Sequence, residues 1–463
     1  MMIVNEVRNS GSFRDPSGIV FSRNEVIYRQ VNKSYEQQFR ELNASGLYSS
    51  LVEKGWLISH VETDEPFAFE NGLLVIKPIR IPFVSYPYEW SFSAYKDAAL
   101  LTLMIHRHAL EHGMVLKDAS AYNVQFISGR PVFIDTLSFD TYQEGLPWVA
   151  YGQFCRHFIA PLLLMANVDI RLNRMMSTFI DGIPLDLCAR LLGRKGGFFS
   201  KQHIHWHASS IRKYSDTKNQ IEMEKTKQKI SLSLKSQLNL IDSMIISLEK
   251  IQPAHQNTEW ANYTVLTSYS EDGSASKQSI VSRFLADIAP KMVWDLGSND
   301  GAYSLLAESI GATTIAFDAD PIAVDRCYVS TRGKNKSILP LLMDLTNPSG
   351  DIGFAGTERV SPVKRGRPDC VMMLAVIHHL AISNNVPLEL LSDWLHSLSN
   401  HLIIEFVPKS DPQVKRLLAY RIDIFNEYNQ ANFESVFSRN WTIIDQSQVQ
   451  NSERVVYLFE SKQ

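Results

Sequence analysis

The stretch Val293-Trp294-Asp295-Leu296-Gly297-Ser298-Asn299-Asp300-Gly301 constrains this chain more than any other. It reads as an apolar strand that breaks into a glycine-rich turn, and a helical pattern runs on from Ala302 to Ile310. A second strand, Thr313 to Phe317, ends at Asp318. Glycines let a backbone come close to a ligand, and a helix start offers N–H groups without intrahelical partners. Asp318 stands 21 residues after Gly297. At about that interval α/β nucleotide sites place a carboxylate on ribose hydroxyls.

Strand–helix alternation extends this unit over residues 259–463. Candidate strands are Met292–Asp295, Thr314–Phe317, Leu339–Met343, Cys370–Leu374 and Leu402–Phe406, and a closing antiparallel hairpin pairs Trp441–Asp445 with Val455–Glu460. Five parallel strands finished by a hairpin make an α/β, doubly wound, Rossmann-like sheet. Residues 1–210 read instead as an α+β domain. A hairpin over Ile19–Val31 turns at Arg23-Asn24. A helix over Ser34–Lys54, a strand over Leu73–Ile79 and a long helix over Ser93–His112 follow. A second hairpin, Val124–Phe126 with Val132–Ile134, turns at Ser128-Gly129-Arg130, and Trp148–Leu192 holds two or three more helices. Between the halves, residues 211–258 read as a helical linker, with Leu234, Leu238, Ile241, Ile245 and Leu248 on one face.

A length of 463 residues exceeds one ordinary core, so two domains are expected. A net charge of −3 gives no bulk-charge reason for a nucleic-acid or membrane-surface partner. The four cysteines, Cys155, Cys188, Cys327 and Cys370, form no CxxC pair, which points to reduced thiols and no zinc site. The N-terminal residues lack the apolar core of a signal peptide, and no apolar run reaches the ~20 residues of a membrane span. A cytoplasmic protein is expected, and nothing in the sequence sets an oligomeric state.

Four landmarks in order resemble the class I S-adenosylmethionine-dependent methyltransferases. They are DLGSNDG (295–301), AFDADP (316–321), LMDLTNP (342–348) and PDCVMMLAVIHHL (368–380). Gly297 and Gly301 are spaced GxxxG, unlike the GxGxxG of dinucleotide enzymes. The resemblance implies S-adenosyl-L-methionine as cofactor. It places Asp295 and Gly297 at the amino-acid end of that cofactor, with Asn299 and Gly301 close by. It puts Asp318 on the ribose, Asp344 on the adenine amino group and the Leu374 carbonyl near the methionine moiety. Asp320 and Asp344 also read as turn or cap residues. His378 and His379 stand where a base acts if the acceptor must lose a proton, and the same pair suits a helix cap. Glu405-Phe406-Val407-Pro408 ends strand five beside the expected acceptor, and Trp260, Tyr263 and Tyr269 are candidates for an aromatic lid.

In the N-terminal half, Asp118 precedes Asn123 by five residues, and Asp135 follows twelve further on. This spacing resembles the catalytic loop and metal-binding aspartate of protein kinases and aminoglycoside phosphotransferases. The resemblance implies Asp118 as base and Asn123 and Asp135 on magnesium, with ATP as a further cofactor. The chain departs from that pattern by lacking GxGxxG and by carrying Arg29 where the phosphate-pairing lysine is expected. A degenerate kinase-like accessory domain is the resulting expectation. His203, His205 and His207 would share one face of a strand, yet no acid or cysteine completes a metal site there. His106 and His108, two apart on a helix, share no face.

Together with the runs SYPYEWSF and EFVPKSDP, the arrangement resembles NoeA-like host-specific nodulation proteins over most of the chain. The leading expectation is methyl transfer to a small-molecule, saccharide or lipo-oligosaccharide acceptor. The alternative is a phosphotransferase using Asp118, Asn123 and Asp135, with the C-terminal domain as a cofactor sensor. A non-enzymatic scaffold is the third.

Overall fold

The computed structural model describes residues 6–209, 232–253, 270–419 and 421–462. Two compact units divide the chain. The first takes Met1–Ile127, Pro131–His255 and Asp351–Val360; the second takes Ser128–Arg130, Gln256–Gly350 and Ser361–Gln463.

The first unit opens with an antiparallel five-stranded sheet in the order β1-β2-β3-β5-β4. Its strands are β1 (Glu6–Arg8), β2 (Gly18–Arg23), β3 (Val26–Asn32), β4 (His60–Thr63) and β5 (Gly72–Pro78). The β2–β3 turn centres on Asn24 and Glu25, with φ of 50° and 65°, one residue later than the sequence suggests. The expected helix over 34–54 is two helices, Glu36–Ala44 and Leu47–Glu53, because Gly46 sits between them with φ of 75° in the left-handed region. The long helix is Phe92–Glu111, capped by Ser91. Beyond it lie β6 (Met114–Leu116), β7 (Val124–Ile127), β8 (Arg130–Phe133) and β9 (Phe139–Thr141), paired as β6–β9 and β7–β8. The helix Leu234–Lys250 packs on Phe92–Glu111. It buries Gln237, Ile241, Met244 and Leu248, so the buried face is turned from the all-leucine/isoleucine stripe that the sequence suggests. Gln237 accounts for the difference by donating to the Leu146 carbonyl at 2.7 Å.

The second unit is a seven-stranded sheet in the order β12-β11-β10-β13-β14-β16-β15. The strands are β10 (Met292–Leu296), β11 (Thr313–Asp318), β12 (Ile338–Leu342), β13 (Cys370–Met373), β14 (His401–Phe406), β15 (Trp441–Gln448) and β16 (Val455–Ser461). β10 to β14 run parallel, and β16 is antiparallel to both β14 and β15. This is the doubly wound sheet with its terminal hairpin, as expected. Burial explains the strand types. Every residue of β13 is buried, as in a parallel strand covered on both faces. β15 alternates between less and more exposed positions, as an edge strand with one wet face must. The strand order reverses between β10 and β13, and ligands of open α/β sheets bind at such a switch.

Candidate functional site

A cavity of about 620 Å³ opens at the carboxyl ends of β10, β11 and β13. Three turns build it. In the first, Gly297 and Ser298 donate their N–H groups to the Phe317 carbonyl at 2.8 and 2.9 Å, fastening the glycine turn to the end of β11. Gly297 and Gly301 have φ of 83° and 86°, and Asn299 has φ of 50°. A Cβ on Gly297 would collide with Val376 Cγ2, and one on Gly301 with Cys327 Sγ. Both positions therefore require glycine on conformation and on space.

In the second turn, Asp318 ends β11 and its Oδ2 accepts from the Asn299 N–H at 2.8 Å. Its Oδ1 accepts from the Asp320 N–H at 2.8 Å. Burial raises the Asp318 pKa, and these backbone hydrogen bonds oppose it. Asp320 caps the helix Pro321–Thr331 through Ile322 and Ala323 N–H, the cap reading of that residue. Asp295 is buried and accepts from Ser304 Oγ at 2.6 Å. Burial pushes its pKa up to about 6. Ser298 Oγ lines the same cavity, buried and without a hydrogen-bond partner in the chain.

In the third, Asp344 lines the cavity while its Oδ1 accepts from Thr346 N and Oγ1 at 2.9 and 2.7 Å, so it also shapes its own turn. Leu374 and Ala375 line the wall beyond β13, with Ala375 at φ of 57°. The two histidines part company here. His379 lines the cavity, and burial lowers its pKa to about 4, which leaves a neutral ring at pH 7. His378 is fully buried, and neither ring nitrogen has a hydrogen-bond partner. Burial holds its pKa well below the ordinary value, and it is not part of the lining. Glu405 does not line the cavity either; it is buried in ion pairs with Lys277 and Arg454. Trp260, Tyr263 and Tyr269 lie outside the described residues.

The fit to an adenosyl amino-acid cofactor rests on this geometry: a cradle without Cβ atoms, an orphaned serine hydroxyl and an acid at the end of the second strand. Sequence reasoning missed Lys277 and Tyr303, which also line the cavity. The signal was present, since Lys277 falls on the buried stripe Gly273, Lys277, Ile280, Val281, Phe284, Leu285 of the helix Glu271–Ile288.

The first unit gathers the other acidic group. Arg29 on β3 pairs with Asp135 and, at 3.2 Å, with Asp15. Asp118 Oδ1 accepts from Ser120 N–H at 3.0 Å and Gln153 Nε2 at 2.7 Å. Burial raises the Asp118 pKa and the nearby Asp135 charge adds to this, while hydrogen bonds that include one from Asn123 oppose it. Burial also pushes Asp135 upward, but the Arg29 charge and hydrogen bonds from Ser138 and Leu137 leave its pKa lowered. Magnesium does not fit this donor set as it stands, because the guanidinium already holds Asp135. Among the described residues, no group of three or more His, Cys, Asp or Glu side chains is placed to hold a metal.

The HIHWH run is not a strand. Lys201–His205 forms a π-helical turn that continues helically to 209, so the alternating-face argument fails. His203 Nδ1 lies 2.7 Å from Tyr151 Oη, and His207 stacks on the Tyr151 ring. His106 stacks on Trp148 inside the core.

No protein-family model matches the chain. Nodulation protein NoeA of Rhizobium meliloti strain 1021 is 34% identical over 460 residues, spanning 98% of this chain and 96% of the relative. The chain belongs to the NoeA family of nodulation proteins. Among solved structures, the N-methyltransferase NodS of Bradyrhizobium japonicum WM9 aligns with 42% of this chain and 99% of its own, at 13% identity and a TM-score of 0.30. Magnesium protoporphyrin IX methyltransferase of Synechocystis PCC 6803, with bound S-adenosylhomocysteine, aligns with 44% of this chain and 93% of its own, at 17% identity and a TM-score of 0.31. The strand order β12-β11-β10-β13-β14-β16-β15 by itself makes the second unit a doubly wound sheet. Among the described residues no helix is long and apolar enough to cross a membrane.

Proposed function

We propose that the second unit is an S-adenosylmethionine-dependent methyltransferase acting on a small-molecule or saccharide acceptor. The observation that carries this reading is the joint between Asp318 and the glycine turn. The acid ending the second strand is fixed by the Asn299 N–H on the rim of a cavity at the sheet's switch point.

When bound, the cofactor would supply a methyl group already activated on a sulfonium. The residues then have to orient and to exclude water, not to form covalent bonds. Asp318 would accept from the ribose hydroxyls with the lone pairs its backbone hydrogen bonds leave. Asp295, Gly297, Asn299 and Gly301 would surround the amino-acid end. Asp344 would face the adenine amino group, and the Leu374 carbonyl the methionine moiety. If the acceptor must lose a proton, His379, neutral at pH 7 and lining the cavity, would be the ring to take it, and His378 packs behind it with the ring centroids 4.1 Å apart.

For the first unit we propose a kinase-like accessory domain that does not transfer phosphate. Its antiparallel sheet and the meeting of Asp118, Asn123 and Asp135 support the likeness, and the Arg29–Asp135 pair supports the loss of activity.

Ultraviolet photolabelling with methyl-tritiated S-adenosylmethionine tests the main reading. Label should enter the wild-type protein, be displaced by S-adenosylhomocysteine and drop by about tenfold or more in Asp318→Ala. Equal labelling of the variant would remove Asp318 from the site.

A further inference from the structure

Lys277 is a cation in an otherwise apolar stripe, with only 3% of its surface exposed. It nonetheless lines the cavity. Its Nζ stands 2.7 Å from Glu405 Oε2 and 4.6 Å from the centre of the Tyr303 ring. Glu405, fully buried on β14, turns its other oxygen toward Arg454 Nη1 at 3.5 Å. Arg454 in turn donates from Nε and Nη2 to the two oxygens of Asp411 at 2.7 and 3.0 Å. Asp411 caps the helix Pro412–Leu418, and Leu417 of that helix lines the same cavity. Four buried charges thus run in a chain from one piece of the cavity wall to the element that carries another.

Such a chain is poor value as a stabiliser. A buried ion pair gains little over apolar side chains of equal volume, because desolvation consumes most of the attraction. Its position at the cavity suggests a use for the ammonium. Burial lowers the Lys277 pKa, and the charges of Glu405 and, further off, Asp295 oppose that change. Asp295 lines the same cavity, so one wall group is a cation and another a carboxyl. A free α-amino acid group carries the complementary pair, a carboxylate and an ammonium.

We propose that Lys277 recognises the carboxylate of the ligand's amino-acid end, and that Glu405, Arg454 and Asp411 are positioning residues that hold Lys277 and the Leu417 wall in register. This rests on the methyltransferase reading above. The test is calorimetric titration with two ligands. S-adenosylhomocysteine has the amino-acid end, whereas 5′-methylthioadenosine keeps adenine, ribose and thioether without it. Wild-type protein should bind both. Lys277→Met should weaken S-adenosylhomocysteine by about tenfold or more and leave methylthioadenosine within about twofold. If the lone Glu405 prevents folding, Lys277→Met/Glu405→Gln removes both charges and carries the same expectation. Equal loss of both ligands, or no loss of either, would overturn the role of Lys277. Wild-type protein that bound neither ligand would instead overturn the methyltransferase reading, and this proposal with it.

Discussion

Asp318 in the second unit ends a short strand and Asp135 in the first follows one, and both carboxylates are held by neighbours. The neighbours differ in kind. Asp318 is fixed by backbone N–H groups, those of Asn299 and Asp320 among them, and its pKa is raised by burial. Asp135 is fixed by a guanidinium, and its pKa is lowered on balance by that charge. Backbone donors orient an acid without neutralising it, whereas an arginine completes it. The same residue type therefore reads as a poised site in one unit and as a closed structural pair in the other.

The largest effect that would sharpen this contrast is on stability. Arg29→Met leaves the largely enclosed Asp135, its side chain 13% exposed, without its cation, and the first unit should lose about 3 kcal/mol in denaturant unfolding. Affinity for S-adenosylhomocysteine should not change. A stable variant would show that the pair is not what holds Asp135.

Acid should separate the units next. His106 and His157, buried in the first unit, have pKa values pushed down to about 3, and His60 and His203 there fall to about 4, all led by burial. A histidine whose folded pKa lies below its unfolded value is neutral in the fold and charged in the open chain. Its stability contribution is present above pH 6.5 and is lost as pH falls toward the folded value. For the fully buried His106 and His157 this amounts to about 2 kcal/mol each at pH 5. In the second unit His378 and His379 act the same way, but Asp295 acts oppositely. Its folded pKa of about 6 lies above the unfolded value, so its unfavourable burial is relieved as pH falls below 6. Hydrogen exchange between pH 6.5 and 4 should show the first unit losing protection first. Loss in the reverse order would contradict the balance.

A smaller effect is expected at the cavity. Gly297→Ala forces a side chain into left-handed backbone against Val376, a strain of about 1–2 kcal/mol. It should weaken S-adenosylhomocysteine about tenfold and leave the first unit untouched. Unchanged affinity would mean that the ligand does not approach this turn.

The sheet was legible because its parallel strands centre on short apolar runs, as in Ile338–Leu342 and Cys370–Met373. The carboxylates of the cavity were legible for the same reason, since strand ends point at the switch. Long-range partners were not. Nothing local to Lys277 tells that Glu405, 128 residues on, will meet it, and nothing local to Asp135 tells that Arg29 will close on it. HIHWH misled because alternation fits a strand, while the Tyr151 and Phe199 rings pack on His203 and His207 along a helical path that shows only in three dimensions. His378 and His379 were indistinguishable as neighbours, and a single residue of helical rotation sends one to the cavity and the other into the core.

The most direct measurement is a pair of calorimetric titrations on one preparation of the wild-type chain, one with S-adenosylhomocysteine and one with ATP–magnesium. S-adenosylhomocysteine should bind saturably and ATP–magnesium should not bind. Binding of ATP–magnesium that Asp135→Ala abolishes, with no heat from S-adenosylhomocysteine, would contradict this and move the functional centre to Asp118, Asn123 and Asp135.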